Sequence, residues 1–346
     1  MTHRLTGRRT ALLIGAVVAL AACGGPATSP GASSAPGTTN VPTSEPLSGS
    51  VAIDGSSTVY PITAAVAEEF QIENPNVKVT VAFSGTGGGF KKFCSNGADA
   101  TDANDASRQI KAKDKPGADG QLGTADDELS EATQCANAGI KPLELKVAYD
   151  GLSIVVNPVN DFVDCLTKAE LKAIWDQGST VTTWADVRTG WPARKIELFG
   201  PGADSGTFDY FTEVINGEAK RSRSDYTPSE DDNALVQGVA NDDNGLGYFG
   251  FAYFEENADK LKLVPIDSGD GCVSPSIETI KDGTYAPLSR PLFVYPSMQA
   301  LARPEVAAYF TYYLDNVNTF VVEVGYVPLP DDELAASKAA LAAALK

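Results

Sequence analysis

Strand-like and helix-like segments alternate along this chain from residue 49 onwards. Residues 50–54 and 77–83 are rich in β-branched residues, which predicts two strands. Between them, residues 61–73 carry Ile62, Val66 and Phe70 at helical spacing, which predicts an amphipathic helix. Because strands that alternate with helices favour layered sheets covered by helices, we expect an α/β fold with mainly parallel sheets.

The same alternation continues to the end of the chain. Residues 147–157 form a long apolar extended segment that is interrupted by Asp150 and Gly151. Residues 331–345 are rich in alanine and begin with two acids, which suit the N-terminal dipole of a helix. The remaining patterns predict helices over residues 167–176, 205–216 and 231–239, and strands over residues 195–199, 261–266 and 292–295.

Three strand-to-helix turns are composed mainly of Ser, Thr and Gly. They span residues 54–59, 84–89 and 200–207, and a fourth segment, residues 102–108, adds a carboxylate and a guanidinium. In α/β folds, ligands bind at the carboxyl ends of strands, where helix N-termini present free N–H groups. Hydroxyl and amide donors of this kind suit a small anion. The lysine of a phosphate-binding P-loop is absent, and no G-x-S-x-G nucleophile motif occurs.

The composition excludes several other classes of function. The chain has 27 Lys and Arg against 45 Asp and Glu, a net charge of −18. A nucleic-acid partner is not expected, because binding to phosphate backbones needs a basic surface. The single histidine is His3, in a segment that we expect to be cleaved. A catalytic Ser-His-Asp or Cys-His system and a His-ligated metal are therefore excluded from the mature protein.

The N-terminus is predicted to be a lipoprotein signal peptide, residues 1–22. Arg4 and the Arg8–Arg9 pair precede a ten-residue apolar stretch, which is about half the length that a membrane span needs. Leu20-Ala21-Ala22-Cys23 matches a lipobox, in which the Cys23 thiol takes the lipid. Residues 23–48, rich in Pro, Gly, Ser and Thr, form a flexible tether. Cleavage deletes three arginines and changes the net charge to −21.

Four cysteines follow the predicted lipidation site: Cys94, Cys135, Cys165 and Cys272. An even number of cysteines in an exported chain predicts two disulfides, and four cysteines allow three pairings. Their spacing contains no CxxC pair, so neither a metal site nor a redox motif is predicted.

Five sequence runs together resemble the substrate-binding lipoproteins of high-affinity phosphate ABC transporters. They are spread over nearly all of residues 49–330, in the order of that family, which makes the resemblance more specific than any single glycine motif. The runs are DGSSTVYPI (54–62), FSGTGGGFKKFC (83–94), DASR (105–108), GPGADSGTFDYF (200–211) and LGYFGFAYF (246–254).

The resemblance implies a two-lobed periplasmic-binding-protein-like fold of type II, with two mainly parallel sheets and a two-strand hinge. Residues 49–148 plus 265–346 would form the discontinuous first lobe, and residues 149–264 the second. The hinge strands would lie at residues 149–152 and 264–267. This arrangement implies the pairings Cys94–Cys135 and Cys165–Cys272.

The resemblance also implies the ligand-binding residues. Many family members have an arginine shortly before the SGT run, but here Pro201 occupies that position. Arg108 is the first candidate to replace it, and Arg221 or Arg223 are weaker ones. The other positions implied to contact the ligand are Ser57, Thr58, Val59, Thr86, Asp105, Ser205, Gly206 and Thr207.

The predicted function is capture of inorganic phosphate and its delivery to the permease subunits of an ABC transporter. The protein would be a lipid-anchored monomer on the outer face of the cell membrane, without enzymatic activity, cofactor or metal. The Asp105 carboxylate would accept a hydrogen bond from the P–OH group, which phosphate keeps and sulfate lacks near neutral pH. Alternatives are a binding protein for sulfate, molybdate or tungstate, a secreted phosphoryl-transfer enzyme, and an adhesin or sensor built on the same lobes.

Residues 111–131 have the composition of an inserted acidic loop. Asp119, Asp126, Asp127 and Glu128 lie among glycines and offer oxygen ligands of the kind that calcium prefers. Their spacing is not that of an EF-hand, so a solvated loop without metal is the favoured interpretation.

Overall fold

The computed structural model describes residues 46–203 and 205–346. The predicted signal peptide, the lipidated Cys23 and nearly all of the tether lie outside the described residues. Among the described residues, no helix has both the length and the apolar composition that crossing a bilayer requires.

The described residues form twelve strands. Strands β1 to β3 belong to the N-terminal third of the chain, β4 is the longest, and β12 returns late in the sequence. Their bounds are β1 (Gly49–Gly55), β2 (Val77–Val81), β3 (Ala103–Ala106), β4 (Leu145–Val156), β5 (Leu166–Thr167), β6 (Glu197–Pro201), β7 (Thr227–Ser229), β8 (Gly245–Gly250), β9 (Lys262–Leu263), β10 (Ile266–Asp267), β11 (Cys272–Val273) and β12 (Ser289–Pro296).

Eleven α-helices occupy the same part of the chain, together with a π-helix at Thr212–Asn216 and a 3₁₀ turn at Ala300–Ala302. The α-helices are α1 (Tyr60–Glu73), α2 (Thr86–Phe93), α3 (Glu131–Asn137), α4 (Lys168–Trp175), α5 (Trp184–Val187), α6 (Gly206–Phe211), α7 (Asp232–Asn241), α8 (Phe251–Glu256), α9 (Ile277–Lys281), α10 (Pro304–Glu323) and α11 (Asp331–Ala344).

Nine strands form one large sheet. Its order is β2-β1-β3-β12-β4-β8-β6-β7, and β9 pairs with β4 outside this path. The pairings among β1, β2 and β3 and those among β6, β7 and β8 are parallel, whereas the pairings of β12 and β4 with their neighbours are antiparallel. The α/β prediction is confirmed. The two predicted sheets correspond to the two parallel sets of strands in this sheet, β1 to β3 and β6 to β8, which the antiparallel strands β4 and β12 connect.

Strand β4 changes its partner where the sequence predicted the first hinge. Residues up to Gly151 pair with β12, and residues from Leu152 onwards pair with β8. The side chains follow the same division, since Val147 and Ala148 belong to one hydrophobic core and Leu152 and Ile154 to another.

Two large hydrophobic cores lie at the two ends of β4. The first core contains side chains of β1, α1, β2 and α10, and the second contains side chains of α4, α6 and β8. Val264 and Ile266 pack in the second core, and so does Leu288, whereas Leu292 and Val294 of β12 pack in the first. The second crossing between the cores is therefore β12 rather than residues 264–267, because residues 266–267 pair with β5 and β11 in a separate small sheet.

The structure contains both disulfides of the predicted pairing. Cys94–Cys135 is buried beside Phe90, Phe93 and Tyr295. Cys165–Cys272 joins the segment before β5 to β11, where Cys272 is exposed.

The acidic insertion is a surface loop closed by a bridge between Lys115 and Glu128. Asp119, Asp126 and Asp127 bring one carboxylate oxygen each to within 4.8 Å of the others. Backbone N–H groups of the same loop donate to these carboxylates, including that of Gly123 to Asp127 at 2.6 Å. The loop's own amides thus provide partners for the clustered charges.

We predict that a mild thiol reductant cleaves Cys165–Cys272 before Cys94–Cys135 in the folded protein. Thiol exchange needs access to a sulfur, and Cys272 is exposed whereas Cys94 and Cys135 are only 8% and 1% exposed. Timed alkylation followed by peptide mass spectrometry measures the order. In denaturant, the two bonds should open at similar rates. Equal or reversed rates in the folded protein would contradict the burial of the first pair.

Candidate functional site

The first Ser/Thr turn connects β1 to α1 and lies at the carboxyl end of the sheet. Ser56 donates its backbone N–H to the carbonyl of Asp105 at 2.9 Å, which fixes the turn against the end of β3. Gly55 makes this approach possible, because a Cβ at that position would lie 2.1 Å from the same carbonyl oxygen. Thr58 is 2% exposed, and its N–H is held by the Ser56 hydroxyl.

The glycine turn begins α2 beside the first turn. Gly85 adopts a φ of +78° at the helix start, a conformation that favours glycine. The Thr86 hydroxyl accepts the N–H of Ser107 at 3.1 Å and lies 3.2 Å from the Ser107 hydroxyl. Thr86 is therefore connected to the end of β3, the strand that carries Asp105.

The third turn leads from β6 into α6 and contacts the first turn. Ser205 caps α6 by accepting the N–H of Thr207. The Thr58 hydroxyl donates to the carbonyl of Gly206 at 3.3 Å, and a Cβ on Gly206 would lie 2.6 Å from the Cα of Thr58. Glycine is thus the residue that lets the two turns approach this closely.

A cavity of about 730 Å³ opens beside this contact, and we call it the cleft cavity. Its volume is within the range of about 300–1,000 Å³ that is usual for ligand pockets. The Ser and Thr residues in its wall are Ser56, Ser57, Thr58, Thr86, Ser107 and Ser289, and its charged side chains are Arg108, Lys146, Asp209, Glu213 and Arg290.

The predicted ligand residues are divided between this cavity and a smaller one. Ser57, Thr58, Thr86 and Arg108 line the cleft cavity. The smaller cavity, of about 260 Å³, is lined by Ser205, Gly206 and Thr207, and Ser57 lines both. Asp232 also lines the smaller cavity, and burial raises the pKa of its carboxyl to about 6.

Two predicted residues lie inside the protein rather than in either cavity wall. Val59 is fully buried in the first core. Asp105 is also fully buried, and one of its oxygens accepts the Thr63 hydroxyl at 3.0 Å. Burial raises the pKa of Asp105 well above its usual value. The structure therefore does not bring this carboxylate to the cleft cavity, and its role as a ligand acceptor stays a prediction.

Of the three arginines considered in place of Pro201, only Arg108 lines the cleft cavity. It forms a bidentate ion pair with Glu131, with N–O distances of 2.8 and 2.6 Å. Arg221 pairs with Asp176 at the surface, and Arg223 donates to Asp225 and to buried carbonyls.

Arg290 is a cavity residue that the sequence analysis did not select. It lies on β12, and its Nη2 donates to the Thr58 hydroxyl at 2.9 Å although 232 residues separate them. Its Nε donates to Asp150 at 3.2 Å, and its guanidinium carbon lies 3.5 Å from the centre of the Tyr210 ring. Nothing local in the sequence marks Arg290, because its position depends on the pairing of β12 with β4.

Lys146, Asp209 and Glu213 were also missed. Lys146 donates to Glu333 at 2.8 Å and to the Tyr149 hydroxyl at 3.0 Å. Asp209 accepts the Ser57 hydroxyl at 3.4 Å, and burial raises the pKa of its carboxyl. Asp209 and Tyr210 belong to the run GTFDYF, which begins within the third turn, so the sequence could have indicated that they lie near the site.

Comparison with known proteins indicates the family to which this chain belongs. A family model described as the PBP superfamily domain matches residues 40–317. The phosphate-binding protein PstS of Staphylococcus saprophyticus is 36% identical over 321 residues, which cover 92% of this chain and 88% of that protein. The chain belongs to the phosphate-binding protein family.

Two further relatives are more similar in sequence. Protein SphX of Synechococcus elongatus is 45% identical over 283 residues, covering 81% of this chain and 77% of that protein. The crystal structure of a possible phosphate binding protein from Planctomyces limnophilus is 50% identical, with a TM-score of 0.78, and covers 87% of this chain and all of that one. These similarities confirm the type II fold of a phosphate-binding protein.

We predict that Asp105→Asn changes how stability depends on pH. A raised pKa means that the folded state keeps its proton where the unfolded chain, with an aspartate pKa near 3.9, has lost it. Wild-type stability attributable to Asp105 therefore falls as pH rises above about 4. The asparagine side chain does not titrate, so the variant does not lose stability in this way. Between the unfolded pKa and the raised pKa of Asp105 in the folded protein, the free energy of unfolding of the variant minus that of wild type should rise by about 1.4 kcal/mol per pH unit.

Urea denaturation at several pH values between 4 and 8 measures this difference. Asp259→Asn, at an exposed position, gives the background effect of removing one negative charge. A difference between Asp105→Asn and wild type that stays constant with pH would mean that Asp105 is ionised normally in the folded protein.

Proposed function

We propose that this protein captures inorganic phosphate in the cleft cavity and delivers it to the permease of an ABC transporter. Membership of the phosphate-binding protein family supports phosphate as the ligand. The observation that carries the proposal is the composition of the cavity wall, where hydroxyls of the first turn and the glycine turn face the same space as cationic side chains. Hydroxyl and guanidinium donors suit tetrahedral oxyanions.

The binding site requires donors at short range because the chain as a whole repels anions. Its net charge is −18, or −21 after the proposed cleavage, so the overall field opposes entry of phosphate. Ser57, Thr58 and Thr86 each present a hydroxyl to the cavity. Hydrogen bonds to a charged group are worth about 1.5–3 kcal/mol each, so a few of them supply useful affinity.

We further propose that the cavity closes around the ligand by movement of two lobes. The two hydrophobic cores would be the centres of these lobes, and β4 and β12 would be the hinge strands. The third turn, with Ser205, Gly206 and Thr207, would bring its donors to phosphate on closure. The contact between Thr58 and Gly206 supports this idea, because it already joins turns from the two cores.

The mature protein would be a monomer held at the outer face of the cell membrane by lipid on Cys23. The motif Leu20-Ala21-Ala22-Cys23 and the following polar tether support this location. A tether of some 25 residues would leave the binding body free to reach the permease.

Binding specificity tests the proposed ligand. We expect tight binding of inorganic phosphate in calorimetric titrations of the purified protein, and much weaker binding of sulfate and molybdate. Ser57→Ala should weaken phosphate binding roughly 10- to 100-fold, because it removes one hydrogen bond to a charged ligand. Ser50→Ala, on the exposed beginning of β1, is the matched control and should bind as wild type does.

Absence of phosphate binding by the wild-type protein, or equal affinity for sulfate, would refute the proposed ligand. Unchanged binding by Ser57→Ala would instead move the phosphate site away from the first turn.

A separate prediction concerns the membrane anchor. Cys23→Ser should shift the protein from the membrane fraction to the soluble fraction, because it removes the thiol that accepts the lipid. Phosphate binding should be retained, since residue 23 precedes the described body. Fractionation with a carbonate wash measures the shift. Retention of the variant in washed membranes would contradict lipid anchoring.

A further inference from the structure

Arg290 is held at the wall of the cleft cavity by three different contacts. Its side chain is 14% exposed, and that of Asp150, its ion-pair partner, is fully buried. The Tyr210 ring covers one face of the guanidinium, and the Thr58 hydroxyl accepts from Nη2. Stacking and ion pairing fix the plane of the guanidinium, so an oxyanion entering the cavity would meet a donor group that is already oriented.

The hydrogen bonds of Arg290 leave donors available. A guanidinium carries five N–H donors, and within the described part of the chain Arg290 uses one at Nε and one at Nη2. Both hydrogens of Nη1 and one of Nη2 remain for a ligand. Nη1 and Nη2 lie side by side, so they can donate to two of the four oxygens of a tetrahedral oxyanion.

The other two cations of the cavity wall are more fully occupied. Both Nη atoms of Arg108 donate to Glu131, so its fork is already filled by a carboxylate. Lys146 donates to Glu333 and to Tyr149. In the described structure, Arg290 is thus the cavity cation whose Nη1 and Nη2 atoms do not both donate to a carboxylate and still have N–H groups for a ligand.

We propose that Arg290 is the cation that binds the oxyanion in the cleft cavity, and that Asp150 and Tyr210 position its guanidinium. This inference rests on the proposed function, because it assigns a residue to the same site. It also accounts for Pro201, because Arg290 on β12 would supply the positive charge that the third turn lacks.

Arg290 also connects the two halves of the protein. It is on the strand that crosses between the cores, and it contacts Thr58 after β1 and Tyr210 on α6. An anion bound to Arg290 would therefore lie where the first turn and α6 converge, within reach of Ser57 and Thr58.

Phosphate titrations of four proteins test the role of Arg290. Arg290→Gln should lower the affinity roughly 10- to 100-fold, because it removes charge-assisted donors, and Arg290→Lys should recover only part of it, because the ammonium lacks the bidentate fork. Arg194→Gln is the matched control, since it removes the same charge from a position outside the cavity, and it should bind as wild type does.

Asp150→Asn separates a ligand-binding arginine from a merely structural ion pair. The amide oxygen still accepts from Nε, but the carboxylate charge beside the site is gone, so phosphate should bind more tightly than to wild type. A structural pair predicts the opposite, namely that Arg290→Gln and Asp150→Asn both weaken binding in proportion to their loss of stability. Thermal unfolding of each variant supplies that comparison.

Arg290→Gln leaves Asp150 buried without its partner, and such a variant can fail to fold. The double variant Arg290→Gln/Asp150→Asn removes both charges together, and it should bind phosphate at least tenfold more weakly than Asp150→Asn alone.

The outcomes distinguish this inference from the proposed function. Wild-type protein that does not bind phosphate refutes the proposed function. Wild-type protein that binds phosphate while folded Arg290→Gln, or the double variant, binds it equally well overturns the role of Arg290 alone. A large loss for Arg108→Gln with none for Arg290→Gln would assign the cation to Arg108 instead.

Discussion

The antiparallel pairing of β4 with β12 is the interaction on which the arrangement of the rest depends. These two strands carry the chain between the two hydrophobic cores, and each core is assembled around one end of them. Their pairing sets Asp150 opposite Arg290, so the buried ion pair is a consequence of strand register. A slip of one strand by one residue would turn its side chains to the other face of the sheet, so Asp150 and Arg290 would lie on opposite faces and the pair would be lost.

A buried ion pair at this place costs desolvation energy that its mutual attraction only partly returns. The raised pKa of Asp150 reflects that cost, since burial disfavours its charged form while Arg290 opposes the shift. One oxygen of Asp150 accepts from Arg290, and its other oxygen is buried without a hydrogen-bond partner in the described residues. Replacing such a pair with two well-packed apolar side chains is often neutral or stabilising, whereas an apolar residue at position 290 would present no donor to the cavity.

Local sequence patterns predicted the elements near the site well. The Ser/Thr/Gly turns do lie at the ends of strands, and α1, α7 and α11 occur within two residues of their predicted bounds at each end. No element was predicted over the twenty-residue helix α10, which contains many aromatic and β-branched residues. Its buried positions, such as Val306, Phe310 and Val317, instead follow the helical period. Hydrophobic spacing was thus a better guide than residue type.

Residues that depend on long-range pairing could not be read from the sequence. Arg108 lies three residues after Asp105 and was therefore selected, yet its guanidinium pairs with Glu131, 23 positions further along. Arg290 was overlooked because its partners lie 140 and 232 residues away. Asp105 illustrates the converse: it is at the correct end of the sheet, but it points into the interior, where Thr63 satisfies one oxygen. The position of a residue at a strand end determines where its backbone lies. The packing on either side of the strand determines which way its side chain faces, and this direction decides whether the side chain can contact a ligand.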